Sequence, residues 1–107
     1  MSTLNMSLTI QNNTSQKLEL ANYKGCDAPP NQIAADGSGV VTASSNFDIS
    51  GNVKYQGDDG TITITFDMPL VGNNSFKGTS DPSGAYTINI KDTSGYDATP
   101  TAIITTG

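Results

Sequence analysis

Apolar and polar residues alternate with a period of two along most of the chain, the pattern of strands with one buried face. Leu4, Met6, Leu8 and Ile10 alternate with Asn5, Ser7 and Thr9 and predict a first strand. The polar run QNNTSQ turns the chain. Leu18 and Leu20 then open a second strand that ends near Tyr23. Val40-Val41-Thr42 begins a third. Phe47 with Ile49, and Val53 with Tyr55, keep the alternation, but Ser50-Gly51-Asn52 stands between them. That segment reads as one bulged strand or as two strands. QGDDG is a hairpin turn, since Asp-Gly tolerates the backbone a tight turn needs. Ile62, Ile64, Phe66 and Met68 alternate with Thr61, Thr63, Thr65 and Asp67, which makes the clearest strand of all. Pro69 stops it, because proline cannot donate to a ladder. A short strand around Ser75–Lys77, one through Tyr86, Ile88 and Ile90, and a last one over Thr101–Thr105 complete the set.

About eight strands separated by Gly, Asn, Asp and Pro turns predict an all-β fold, an antiparallel β-sandwich formed by residues 1–107 as one domain. The connection over residues 23–39 is long for a hairpin loop, and NQIAADG within it is the one candidate for a helical turn. No repeat at a fixed period points to a propeller or solenoid.

Composition agrees and narrows the function. Only 35% of the residues are hydrophobic and 14% charged, so Ser, Thr, Asn and Gly dominate the surface. Thr suits strands, and Gly and Asn suit turns. The net charge is −5, with no histidine. Nucleic-acid binding needs a basic footprint, which is missing. A polybasic attachment to anionic lipid is disfavoured for the same reason, whereas neutral lipids and sugars are not. A Ser-His-Asp triad or a His-ligated metal has no histidine to use. Paired carboxylates remain as catalytic chemistry, but Asp27, Asp36, Asp58, Asp59, Asp81, Asp92 and Asp97 fall mostly in turns, where Asp is a common solvated turn former. The expectation is therefore a protein that is not an enzyme and needs no cofactor.

Calcium is the one ion the sequence leaves open. Asp58 with Asp59, and Asp92 with Asp97, put oxygen donors in turns, though none follows the spacing of a twelve-residue EF-hand loop. Cys26 has no intrachain partner and reads as a small, partly buried thiol. The first twenty residues lack the basic-then-apolar pattern of a signal peptide, so the expected location is cytoplasmic or reached by non-classical export. No run reaches transmembrane length. The sequons at Asn5, Asn12, Asn13 and Asn73 are the chance product of an Asn/Ser/Thr-rich chain.

Candidate binding residues come from the turns. Phe47, Tyr55, Phe66 and Tyr86 are in phase with apolar neighbours and are expected in the core. Tyr23, Phe76 and Tyr96 lie beside turns, where aromatics can stack on sugars or enter a lipid interface. Leu70 and Val71 are apolar residues in a turn, either a plug over the core or an exposed contact. Asp67, Asn73 and Asn74 flank them.

The opening segment SLTIQNNTSQKLEL, and the later succession Asp67, Pro69, Gly72-Asn73 followed by SGAYTINI, resemble the aegerolysin family of small acidic β-sandwiches. That resemblance implies binding to membrane lipid, a cytolysin-related role and, in some members, a larger pore-forming protein partner. The chain has no tryptophan, the preferred interfacial anchor. A lectin-like carbohydrate-binding module fits the same loops. A structural protein that self-assembles into homo-oligomers through Thr61–Met68 as an edge strand is the third class.

Overall fold

The computed structural model describes residues 3–107, which form ten strands and no helix. They are β1 (Leu4–Asn12), β2 (Leu18–Lys24), β3 (Gln32–Ile33), β4 (Ser38–Ser45), β5 (Ile49–Gly57), β6 (Gly60–Met68), β7 (Ser75–Asp81), β8 (Tyr86–Lys91), β9 (Asp97–Ala98) and β10 (Thr101–Thr106). The two strands beyond the expected eight or so, β3 and β9, are two residues long, too short for an alternation to announce them. NQIAADG, the candidate helical turn, supplies β3 instead.

One sheet has the order β4-β1-β10-β8, with β9 continuing the side of β1 that β10 occupies. The other has the order β3-β2-β5-β6-β7 and is antiparallel throughout. The sandwich is not wholly antiparallel. β1 runs parallel to both β9 and β10, pairing Asn5 with Asp97 and Thr9 with Thr101. A parallel pair cannot be closed by a hairpin; here nearly the whole chain lies between its two members. β6 lies between β5 and β7 with both ladders made. Thr61–Met68 is thus an interior strand, and edge-to-edge assembly through it is unavailable.

The alternation read from the sequence points into the space between the sheets. Leu4, Met6, Leu8 and Ile10 of β1 face Ile62, Ile64, Phe66 and Met68 of β6 across one core, all of them buried. Burying an aliphatic or aromatic side chain contributes roughly 1.5–3 kcal/mol, so this modest set of residues carries the fold. Ser50-Gly51-Asn52 does not interrupt β5: Gly51 stays in register opposite Phe66. Its lack of a side chain serves another purpose, because a Cβ there would lie 1.9 Å from the Lys24 carbonyl oxygen. The bulge falls on the partner strand, between Leu20 and Asn22 of β2.

Both open sides of the sandwich are covered. On one, β7 meets β8 so closely that a Cβ on Gly78 would sit 2.4 Å from Ile88 Cγ2. On the other, the long connection crosses from β2 to β4. The Asp27 amide donates to the Thr42 carbonyl at 2.8 Å, and the Tyr55 hydroxyl donates to the Pro30 carbonyl at 2.6 Å. At the end of β1 Asn12 is fully buried, yet its side chain is satisfied by the β1–β2 turn and the long connection, which it joins. Its Nδ2 donates to the carbonyls of Gln16 and Ala34, and its Oδ1 accepts from the Thr14 amide and hydroxyl.

Candidate functional site

The strand registers bring three loops together at one end of the molecule: residues 46–48, 69–74 and 92–96. None is close to the others in sequence. Leu70 joins them. Its amide donates to Asp48 Oδ1 at 3.1 Å, and its carbonyl accepts from the Tyr96 hydroxyl at 3.0 Å. Asn74 adds a second link, donating through Nδ2 to the carbonyls of Thr93 and Gly95 at 2.8 and 2.9 Å. Tyr96 is also held through its backbone, whose carbonyl accepts from the Asn5 amide of β1 at 2.7 Å.

Between residues 72–74 and 93–96 lies an open groove of about 330 Å³. Beside it the same loops present large apolar side chains to solvent. Val71 is 87% exposed, Phe47 75% and Tyr96 54%.

Several residues chosen from the sequence converge here. Leu70 is half-buried against the core and Val71 is fully outward, so the two apolar neighbours divide the roles of plug and contact. Asn73 is exposed in the groove wall, whereas Asn74 is spent on holding the opposite loop. Others lie apart. Phe76 stands opposite Phe66 and packs against the core, because its position in β7 shares the inward face of β6. Asp67 is exposed on the other face of β6, between Ser50 and Ser75 in the ladder, and does not line the groove. Tyr23 pairs with Val53 within β2, where β3 no longer covers the strand, and is 42% exposed.

Phe47 corrects the sequence expectation. It was expected in the core because it is in phase with Ile49. The strand begins only at Ile49, and residues 46–48 carry the chain from one sheet to the other, which turns Phe47 outward. The flanking polar residues Ser44, Ser45, Asn46 and Asp48 are the signal that could have marked a crossover.

The four acids considered for calcium do not form one cluster. Asp58 and Asp59 occupy the β5–β6 hairpin at the far end, where Gln16 donates to Asp59 Oδ2 at 2.7 Å and accepts from the Asp58 amide at 3.1 Å. Tyr86, buried beneath this turn, donates its hydroxyl to the same Gln16 side chain. Asp97 accepts from Asn5 Nδ2 at 2.8 Å, and Asp92 sits in a left-handed turn at φ 61°. Among the described residues no three His, Cys, Asp or Glu side chains converge. The reason is topological: the hairpin and the β8–β9 loop project from opposite ends.

Cys26 is half-buried against the core, and burial, with Asp27 beside it, pushes its thiol above the ordinary value. Such a thiol is a weak nucleophile.

No protein-family model matches the chain, and no curated protein matches it. Among solved structures it is similar to IP-1A from Alcaligenes faecalis, with a TM-score of 0.73 at 14% identity over 98% of this chain and 92% of that one. It is also similar to the lectin XCL of Xerocomus chrysenteron, with a TM-score of 0.55 at 9% identity over 95% and 99% of the two chains. At these identities what is shared is the fold, a small β-sandwich.

Proposed function

We propose that this chain is a non-enzymatic binding module that docks its three-loop end on a membrane-lipid interface. The observation that carries this reading is the exposure of Phe47, Val71 and Tyr96 on loops that share one end of the sandwich. Exposed apolar side chains gathered at one place are unusual on a soluble surface and mark contact sites. Tyrosine suits the headgroup level of a bilayer, where one end of the ring is wet and the other apolar. The net charge of −5 favours a neutral or zwitterionic surface over an anionic one.

Magnitude sets the character of such docking. Burying Phe47 and Val71 contributes roughly 1.5–3 kcal/mol each, so the attachment is reversible. The aegerolysin-like succession of Asp67, Pro69, Gly72 and Asn73 agrees with the reading, since it frames the loop that carries Val71. The fold shared with a lectin makes a glycan the other ligand class in keeping with this end.

Co-sedimentation with phosphatidylcholine–cholesterol vesicles tests the proposal. Wild-type protein is expected to pellet with them. The double variant Phe47→Ser, Val71→Ser is expected to bind at least about tenfold more weakly, the loss that roughly 3 kcal/mol of burial more than covers. Absence of binding to zwitterionic, anionic and sphingolipid vesicles alike would sink it.

A further inference from the structure

The groove beside the apolar tips has a chemistry of its own. It is about 330 Å³, at the small end of the range for small-molecule sites, and residues 72–74 and 93–96 line it without a single charged side chain. A phosphate-bearing headgroup would call for lysine, arginine or a helix N-terminus, and a cationic ligand for a carboxylate. None lines this groove.

What does line it is suited to hydroxyl groups. The side chains of Asn73, Thr93 and Ser94 make no hydrogen bond to any described residue, so their donors and acceptors remain available. An amide and two hydroxyls offer both kinds of partner. Tyr96 adds an aromatic ring, fixed at its hydroxyl by Leu70 and at its backbone by Asn5. A ring held at both ends presents its face at low entropic cost. Asn74 keeps the two walls at a set spacing through its paired bonds to Thr93 and Gly95. One ligand class matches a neutral wall of mixed donors and acceptors beside one aromatic face: a pyranose ring, with hydroxyls on its rim and an apolar C–H face.

We infer that the groove between residues 72–74 and 93–96 is a subsite for one neutral hexopyranose, with Asn73, Thr93 and Ser94 bonding its hydroxyls and Tyr96 covering its C–H face. This rests on the three-loop end being the binding face. The hexose could be carried by a glycolipid or by a soluble glycan, so the test has an arm for each.

In the first arm, amide NMR spectra of the intact protein are followed as methyl glucoside, galactoside and mannoside are each added to about 50 mM, a range that captures millimolar affinities. At least one is expected to shift amides confined to residues 72–74 and 93–96. Asn73→Ala and Tyr96→Ala are expected to weaken that binding at least about tenfold, and Tyr23→Ser, on the exposed part of β2 away from these loops, to leave it unchanged. Asn73 makes no internal contact that folding needs, so its variant keeps the test valid should Tyr96→Ala disturb the loops. In the second arm, sedimentation on phosphatidylcholine vesicles is compared with and without hexosylceramide. Stronger sedimentation with the hexosylceramide, lost in Asn73→Ala, supports the subsite and assigns it to glycolipid. Equal sedimentation with the free hexoside still bound supports the subsite and assigns it to soluble glycan. No shift of these amides with any hexoside, while plain vesicles still bind, overturns the subsite and leaves the docking reading standing. Hexoside binding without vesicle binding does the reverse.

Discussion

The Tyr96 hydroxyl donates to the Leu70 carbonyl, a 3.0 Å bond between residues 26 positions apart. It ties the loop that carries Val71 to the loop that forms the far wall of the groove. Tyr96→Phe removes this tie and leaves the aromatic ring. The Leu70 carbonyl can then turn to water, so the cost to global stability is expected to be small, about 0.5–1.5 kcal/mol. The local effect should exceed it. Amide hydrogen exchange over residues 69–74 is expected to accelerate while exchange in β6 stays as in wild type. Unchanged exchange in that loop would show that the ties made by Asn74 and Asp48 hold the end together without the Tyr96 hydroxyl.

Two glycines separate crowding from backbone conformation. At Gly51 a Cβ would meet the Lys24 carbonyl oxygen at 1.9 Å and the Gly25 Cα at 2.9 Å, both main-chain atoms that cannot swing aside. Gly51→Ala is expected to destabilise by about 3 kcal/mol, the upper end for overpacking. At Gly84 nothing lies within 4 Å, but φ is +88°. Gly84→Ala is expected to cost only about 1 kcal/mol, the penalty of a left-handed backbone. Urea unfolding midpoints of the two variants check the order.

Asn12 is the buried polar hinge of the far end. Asn12→Leu keeps the volume but leaves the buried Thr14 amide without its acceptor, and it takes one of two donors from the Gln16 and Ala34 carbonyls, which keep the Thr14 hydroxyl and the Gly37 amide. Unsatisfied buried groups cost about 1–3 kcal/mol. The expected result is a lower unfolding midpoint together with faster hydrogen exchange in residues 13–17 and 34–37. A variant as stable as wild type would mean that those loops do not depend on Asn12.

Alkaline stability follows from Tyr55. Burial, reinforced by Cys26 beside it, pushes its phenol from 10.0 up to about 12. The fold favours the neutral, protonated ring. That contribution is complete below 10.0, the unfolded value, and is lost as pH climbs toward about 12. Cys26, raised by burial and then by Asp27, adds a decline that begins near 9.0. Unfolding free energy measured across this window should fall for wild type. Tyr55→Phe should start lower, having lost the bond to Pro30, and fall less steeply. Parallel slopes for the two proteins would refute the assignment.

Cys26 itself is expected to react slowly with a thiol reagent in the folded protein and promptly in urea, since a half-buried thiol held in its protonated form is a poor nucleophile. Equal rates in the two states would contradict the packed position.

The sequence by itself determined which residues face inward along each long strand. Leu4 to Ile10 and Ile62 to Met68 are buried in the order their alternation predicts, because the two-residue period of a strand is a local property of the backbone. It also placed the turns, since Gly, Asn, Asp and Pro act locally on φ and hydrogen bonding. Local rules could not say which strand lies beside which. The parallel pairing of β1 with β9 and β10, and the burial of β6 between two neighbours, depend on contacts distant in sequence. The turns alone pointed to Val71, Asn73 and Tyr96, but the convergence of their loops into one site belongs to that second kind. Leu70 and Val71 look alike in the sequence, and only the packed core beneath one of them makes it a plug and leaves the other free. Phe47 has the phase of a core residue, but the crossover between sheets turns it outward to stand at the same end as Tyr96. Alternation says which way a side chain points only while the strand continues; where it stops, the neighbours that tertiary structure supplies decide.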